Sequence, residues 1–271
     1  MTASTSARLT KPMFIVSFLA TIGRTFLNFL RVSGRLALFT GRAMDAVIRP
    51  PFYPRLILKQ IVSIGYYSLP LVGLTALFTG MVLALQIFLG SARFNAESAV
   101  ASIVIIGITR EIGPVIASLL VAGRVGAAIA AEIGTMRVTE QIDALTTLAT
   151  NPFRYLVAPR LIAAVLTLPI LVLIADIVGV FGAYTVGVVK LGFSPTAYIQ
   201  NSLDFLEVMD VVSGLAKAAM FGFIIALMGC YHGYYSRGGA QGVGKATTNS
   251  VVSASILLLS ADYIFTEIFF S

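Results

Sequence analysis

Five stretches of this 271-residue chain are long and apolar enough to cross a lipid bilayer, and none carries more than two charged residues. They are Ile61 to Leu89, Ala99 to Ala122, Leu161 to Val189, Val211 to Tyr231 and Ala246 to Phe270. A bilayer offers no water to backbone N–H and C=O groups, so about 20 mainly apolar residues must satisfy those groups within a helix. The predicted fold class is an all-α integral membrane protein with five transmembrane helices. The first and third runs exceed a perpendicular crossing, so tilt or an interfacial lead-in is expected. Charged residues are 11% of the chain, against about 25% in soluble domains, and that excludes a water-soluble fold.

Basic residues orient the five crossings, because cytoplasmic loops collect Lys and Arg. With the amino terminus in the cytoplasm, nine fall on that side between Arg8 and Lys59, four between Arg124 and Arg160, and then Arg237 and Lys245. Only Arg93 and Lys190 fall outside. The carboxyl terminus is therefore expected on the side opposite the cytoplasm. The formal charge of +7 reports this bias and not nucleic-acid binding.

The chain divides into an arm, residues 1–59, and a five-helix membrane body, residues 60–271. In the arm, Met13 to Ile22 is too short to cross, and Arg24, Arg31, Arg35, Arg42 and Arg49 recur at intervals of 7, 4, 7 and 7. At about 100° per residue that spacing puts all five in one narrow arc. Phe26, Phe29, Leu30, Leu36, Met44 and Val47 take the opposite face. The pattern predicts an amphipathic helix lying in the headgroup region, ended by Pro50 and Pro51. No convincing cleavage site marks the arm as a leader.

Several chemistries fall away. One cysteine, Cys230, and one histidine, His232, supply neither a disulfide nor a zinc cluster, so no metal site is expected. No serine or cysteine sits in a nucleophile motif. Gly239 to Ala246 nearly matches the phosphate-binding loop, but Ala246 replaces the hydroxyl that holds Mg²⁺, and the segment follows a membrane helix instead of a strand. It reads as a glycine-rich cytoplasmic turn, and the chain as no ATPase and no enzyme.

The informative residues are the charges inside the crossings, where ionisable groups face a cavity or a partner. Arg110 and Glu111 precede Gly113-Pro114, which loosens the helical ladder where charge is buried. Gly107, Arg110, Glu111, Pro114 and Ser118 share a face expected to look inward. In the fourth crossing Asp210, Ser213, Gly214, Lys217 and Phe221 share another, with Asp210 and Lys217 about 10 Å apart along the axis. Lys217 is placed to neutralise Glu111, and Asp210 to attract Arg110. One reading is a charge network that fixes helix register; another is a polar vestibule for an amphiphile with a charged head. Asp176 and Asp262 have no partner legible in the sequence. A proton- or ion-driven secondary transporter, with Asp176, Glu111 and Asp262 as relays, is the rival.

Small residues from Ala122 to Gly134, and Gly179, Gly182 and Gly187, allow close helix contact within or between subunits. Beyond them, Thr135 to Leu148 predicts a short cytoplasmic helix whose stripe of Val138, Ile142 and Leu145 needs cover, from a soluble partner or from the chain itself.

The runs Ile108-Thr109-Arg110-Glu111-Ile112-Gly113-Pro114-Val115 and Ala122-Gly123-Arg124-Val125-Gly126 together resemble the MlaE family of ABC-transporter permeases. So do Ala131-Glu132-Ile133-Gly134-Thr135-Met136-Arg137-Val138-Thr139-Glu140-Gln141-Ile142-Asp143-Ala144-Leu145, Asn151-Pro152, and Gly242 to Thr248. Members are membrane subunits of bacterial phospholipid transport systems and of related chloroplast lipid importers. The resemblance implies a homodimer in the bacterial inner membrane, and a separate ABC ATPase subunit that binds ATP and Mg²⁺. It also implies an MCE-domain periplasmic protein and a STAS-domain protein as partners. Thr135 to Leu148 aligns with the family's coupling helix, which assigns ATPase contact to Arg137, Glu140, Ile142, Asp143 and Leu145. Arg110, Glu111, Asp210 and Lys217 match polar positions along its lipid pathway. Thr146 to Thr150, where relatives often carry methionines, and the amino-terminal extension depart from the pattern.

Overall fold

The computed structural model describes residues 10–91 and 99–270. Arg8 and Arg93, both counted in the charge bias, lie outside the described residues. The chain forms two compact units, divided between Asp45 and Ala46.

The described residues of the first unit all belong to α1, a single helix over Thr10–Ile48 that merges the short apolar stretch with the arginine-bearing segment. Arg24, Arg31, Arg35 and Arg42 are exposed, and so are Phe26, Leu27 and Leu30. The helix stops short of Pro50 and Pro51, which lack the N–H needed to continue it.

The second unit holds five helical crossings: Pro54–Ser91, Val100–Val138, Phe153–Val189, Val208–Tyr234 and Gly239–Phe270. Each outlasts its apolar run because helix continues through the headgroup zone, where polar and aromatic side chains are at home. The first joins α2 (Pro54–Ile64) to α3 (Leu69–Ser91) through a 3₁₀ turn at Tyr66–Ser68. The second contains α4 (Val100–Gly107), α5 (Gly113–Val121) and α6 (Ala127–Val138), separated by π-helical turns at Ile108–Ile112 and Ala122–Gly126. A short helix, α7 (Gln141–Thr147), leads to α8 (Ala158–Val189) in the third crossing. The amphipathic α9 (Pro195–Phe205) then leads to α10 (Val208–Tyr234), and α11 (Gly239–Phe270) closes the unit.

The third and fourth crossings form the centre, with 50% and 61% of their apolar windows buried, while the first and fifth bury 17% and 11%. Helix α8 packs against α3 on one side and α10 on the other. Glycine sets the first of these contacts. Gly80 lies against the Gly179 carbonyl, and Gly182 against the Leu77 carbonyl, so neither position has room for a methyl group. Gly187 lies against the Tyr198 ring. In the second crossing Gly126 faces Ile225 and Ser250, and Gly134 faces Ser236 and Val243. These small residues serve packing inside the subunit; of the run after Ala122, Gly123 has open space around it.

Two local expectations change. The segment Thr135 to Leu148 is not one helix, because α6 carries the second crossing to Val138 and α7 starts anew at Gln141. Glu140 breaks it with φ 61°, and Ala149 beyond α7 has φ 56°. Left-handed backbone at non-glycine residues costs about 1–3 kcal/mol each and persists only where surrounding structure imposes it. The glycine-rich run from Gly239 is not a turn either: it forms the first turns of α11. The reversal is made just before it, by Ser236 to Gly239, with Gly238 and Gly239 at φ 90° and 66°. The Gly242 N–H donates to the Gly238 carbonyl at 3.4 Å, and from Val243 onward the N–H groups turn inward along the helix.

Candidate functional site

The charged residues of the second, fourth and fifth crossings converge, and the backbone of the second explains how. In the π turn at Ile108–Ile112 the Gly113 N–H donates to the Ile108 carbonyl, one residue further back than in an α-helix. That removes the α-helical donor of the Thr109 carbonyl. Pro114 has no N–H, so the Arg110 carbonyl loses its donor too. Both oxygens are met by the fourth crossing. Thr109 O lies against the bare Cα of Gly214, and Lys217 Nζ donates to Arg110 O at 3.1 Å.

Lys217 is fully buried. Its ammonium also donates to Glu111 Oε2 at 2.9 Å and to Thr266 Oγ1 at 2.7 Å, which uses all three of its N–H groups. Asp262 Oδ1 lies 3.1 Å from the same nitrogen, a second carboxylate beside the ammonium. Thr266 Oγ1 has Glu111 Oε1 and the Asp262 carbonyl as acceptors, each at 3.0 Å. One lysine thereby ties together three crossings.

Arg110 forms the second half of the cluster. Its Nε donates to Asp210 Oδ1 at 2.6 Å, and its guanidinium lies 4.2 Å from the centroid of the Phe270 ring. Asp210 is fully buried. Its other oxygen accepts the Glu207 N–H at 3.0 Å, closing a capping box at the start of α10, where the helix dipole favours a carboxylate. The side chains of Arg110 and Glu111 remain 30% and 38% exposed, so the network presents one cation and one anion at its edge.

Both expected pairings, Lys217 with Glu111 and Asp210 with Arg110, are present. The expected faces fare differently. Asp210, Ser213, Gly214, Lys217 and Phe221 are all buried within the chain. Pro114 and Ser118 are buried too, whereas Gly107 faces open space. Thr266 and Phe270 escaped sequence reasoning, although Asp262, Thr266 and Phe270 recur at i, i+4 and i+8. The Glu207 cap was also legible, as an acidic residue three before Asp210 at the head of an apolar run. Asp176 stays apart: it is buried, and its Oδ1 lies against Gly113 without a hydrogen-bond partner.

An open groove of about 600 Å³ runs between the first two crossings, walled by Phe78, Val82, Leu83, Ile112 and Ile116. At the far end of the bundle, Arg137 pairs with Asp143 at 2.6 Å and Arg160 with Glu132 at 2.8 Å. Of the stripe expected to need cover, Ile142 is buried against its own chain and Leu145 partly so. Glu140 is exposed, and Leu148 is 74% exposed.

The chain matches known proteins over most of its length. The family described as Permease MlaE matches residues 57–268. A probable ABC transporter permease protein of Rickettsia felis is 55% identical over 249 residues, covering 92% of this chain and 96% of the relative. The intermembrane phospholipid transport system permease protein MlaE of Haemophilus influenzae is 36% identical over 261 residues, 94% of this chain and 98% of the relative. The chloroplastic protein Trigalactosyldiacylglycerol 1 of Arabidopsis thaliana is 34% identical over 233 residues, 86% of this chain and 67% of the relative. A five-crossing helical body matched over most of its length in this way belongs to the MlaE family of ABC transporter permeases.

Proposed function

We propose that the protein moves phospholipid between the bacterial inner membrane and a periplasmic MCE-domain partner. It works as a homodimer driven by a separate ABC ATPase, which holds ATP and Mg²⁺, with a STAS-domain protein attached. The amino terminus is cytoplasmic and the carboxyl terminus periplasmic, following the Lys/Arg bias. The carrying observation is the half-open edge of an otherwise buried ion network, Arg110 and Glu111, in the same crossing whose next residue, Ile112, helps wall an apolar groove. An amphiphile with a charged head and oily tails matches both surfaces. The headgroup meets Arg110 and Glu111, the acyl chains lie along the groove, and Lys217 and Asp210 hold the edge residues in place. ATPase closure acts through α7 on the second crossing.

Glu111→Gln tests the cargo assignment, because the amide keeps an oxygen for Lys217 and removes the charge. ATP-dependent lipid transfer by the reconstituted complex is expected to fall about tenfold, equivalent to about 1.4 kcal/mol, with assembly intact. Unaltered transfer would remove Glu111 from the pathway. The rival proton relay gains no support: among the described residues, no hydrogen bond joins Asp176 to Glu111 or Asp262.

The ATPase contact makes a separate expectation. Leu148→Glu adds charge to an exposed position and should weaken co-purification of the ATPase while leaving the permease folded. Ile142→Glu should instead destabilise the permease itself, by about 3 kcal/mol or more, because a charge enters a closed apolar site. Equal ATPase retention by wild type and Leu148→Glu would place the contact elsewhere.

A further inference from the structure

Both π turns of the second crossing carry an arginine, and their surroundings differ. Arg110 in the first is neutralised by Asp210. Arg124 in the second has only uncharged partners: Nη1 donates to Ser68 Oγ at 2.7 Å and to the Ser63 carbonyl at 3.4 Å. Ser68 is fully buried, and its hydroxyl is fixed by donation to the Ile64 carbonyl at 2.6 Å. The guanidinium is thus held in one orientation, part-exposed, with further N–H donors to spare. Arg137, Arg160 and Lys217 each have a carboxylate; Arg124 has none among the described residues.

The surface leading to it is also basic. Arg55, Lys59 and Ser63 are exposed and stand at i, i+4 and i+8 on α2, one above another on a single face. Helix α2 contains no acidic residue. Tyr66 and Tyr67 follow in the 3₁₀ turn, 67% and 60% exposed, as aromatic residues do at the headgroup level. Exposed Leu71 and Leu74 continue from there into the apolar zone. Cations at the polar boundary above an oily helix face fit a lipid phosphate with its chains running down the helix.

We infer that Arg124, oriented by Ser68 and assisted by Lys59 and Arg55, binds the phosphate of an anionic phospholipid headgroup. The site lies about 20 Å along the second crossing from Arg110, and so is distinct from the Lys217 cluster. In the orientation proposed above it serves the cytoplasmic leaflet. The inference requires only that the five helices cross a bilayer, not that the cluster carries cargo.

The test uses the full-length permease purified with its ATPase, offered equal amounts of phosphatidylglycerol and phosphatidylcholine, with retained lipid counted by native mass spectrometry. Wild type should keep phosphatidylglycerol about tenfold over phosphatidylcholine, as expected for one charge-assisted contact. Arg124→Gln should bring the ratio near parity. Lys59→Gln, at an exposed position that does not threaten folding, should lower it about threefold. Lys190→Gln, at an exposed position just past the end of the third crossing, should leave the ratio unchanged, as a general loss of positive charge would not. Equal retention of both lipids by wild type, or an undiminished ratio in Lys59→Gln and in any folded Arg124→Gln, overturns the inference. Displacement of phosphatidylglycerol by inorganic phosphate alone would also overturn it, by revealing a free-anion site.

Discussion

Lys217→Met should destabilise the permease by about 3–5 kcal/mol, read as a fall in thermal midpoint in detergent and in yield from the membrane. Methionine fills nearly the same volume, so the loss comes from what the ammonium leaves behind. Glu111 and Asp262 lose the ammonium they share, and the Arg110 carbonyl loses its donor. Breaking one side of a buried ion pair is far more costly than never building it. Adding Glu111→Gln and Asp262→Asn to Lys217→Met should therefore restore most of the stability without restoring transport. If the single variant is as stable as wild type, the cluster is not the clasp between crossings that its geometry describes.

Gly80→Val should be nearly as damaging, with a loss of about 3 kcal/mol or more. The new side chain would enter the Gly179 backbone, which has no rotamer to yield, so α3 and α8 would have to separate along their length. Gly73→Val in the same helix is the control, because nothing lies within 4 Å of a side chain there. Its effect should stay within about 0.5 kcal/mol. Thermal midpoints of the two variants side by side decide the matter: similar values would mean that the Gly80 contact contributes little.

Hydropathy is a local property, which is why all five crossings are legible as runs of residues. Pairing between the second and fourth crossings is legible for a related reason, since charge is so costly in lipid that opposite signs at matching depth must meet. What the sequence hides is the order of helices around the bundle. Nothing in the spacing of Asp262 says that the fifth crossing, and not the third, reaches Lys217, so Thr266 and Phe270 go unseen. Inserted residues are hidden as well. A π turn rotates everything beyond it, so Gly107 and Ser118, on one face of an ideal helix, end in open space and in the core respectively. Likewise Glu140 breaks the segment from Thr135 to Leu148 by adopting a backbone conformation that its residue type disfavours. Such a choice is imposed by tertiary structure and leaves no local trace.

The fifth crossing combines two features at its ends. It starts beside Gly238 and Gly239, whose backbone torsions suit a swivel, and finishes at the residues that engage Lys217 and Arg110. At 32 residues it is a rod of about 48 Å, bare along most of its flank. Pivoting it by about 6° at the glycines carries the tip through about 5 Å, more than enough to unhook Asp262, Thr266 and Phe270 together. A displacement at the glycine end would therefore be felt at the ion cluster, at the opposite end of the same rod.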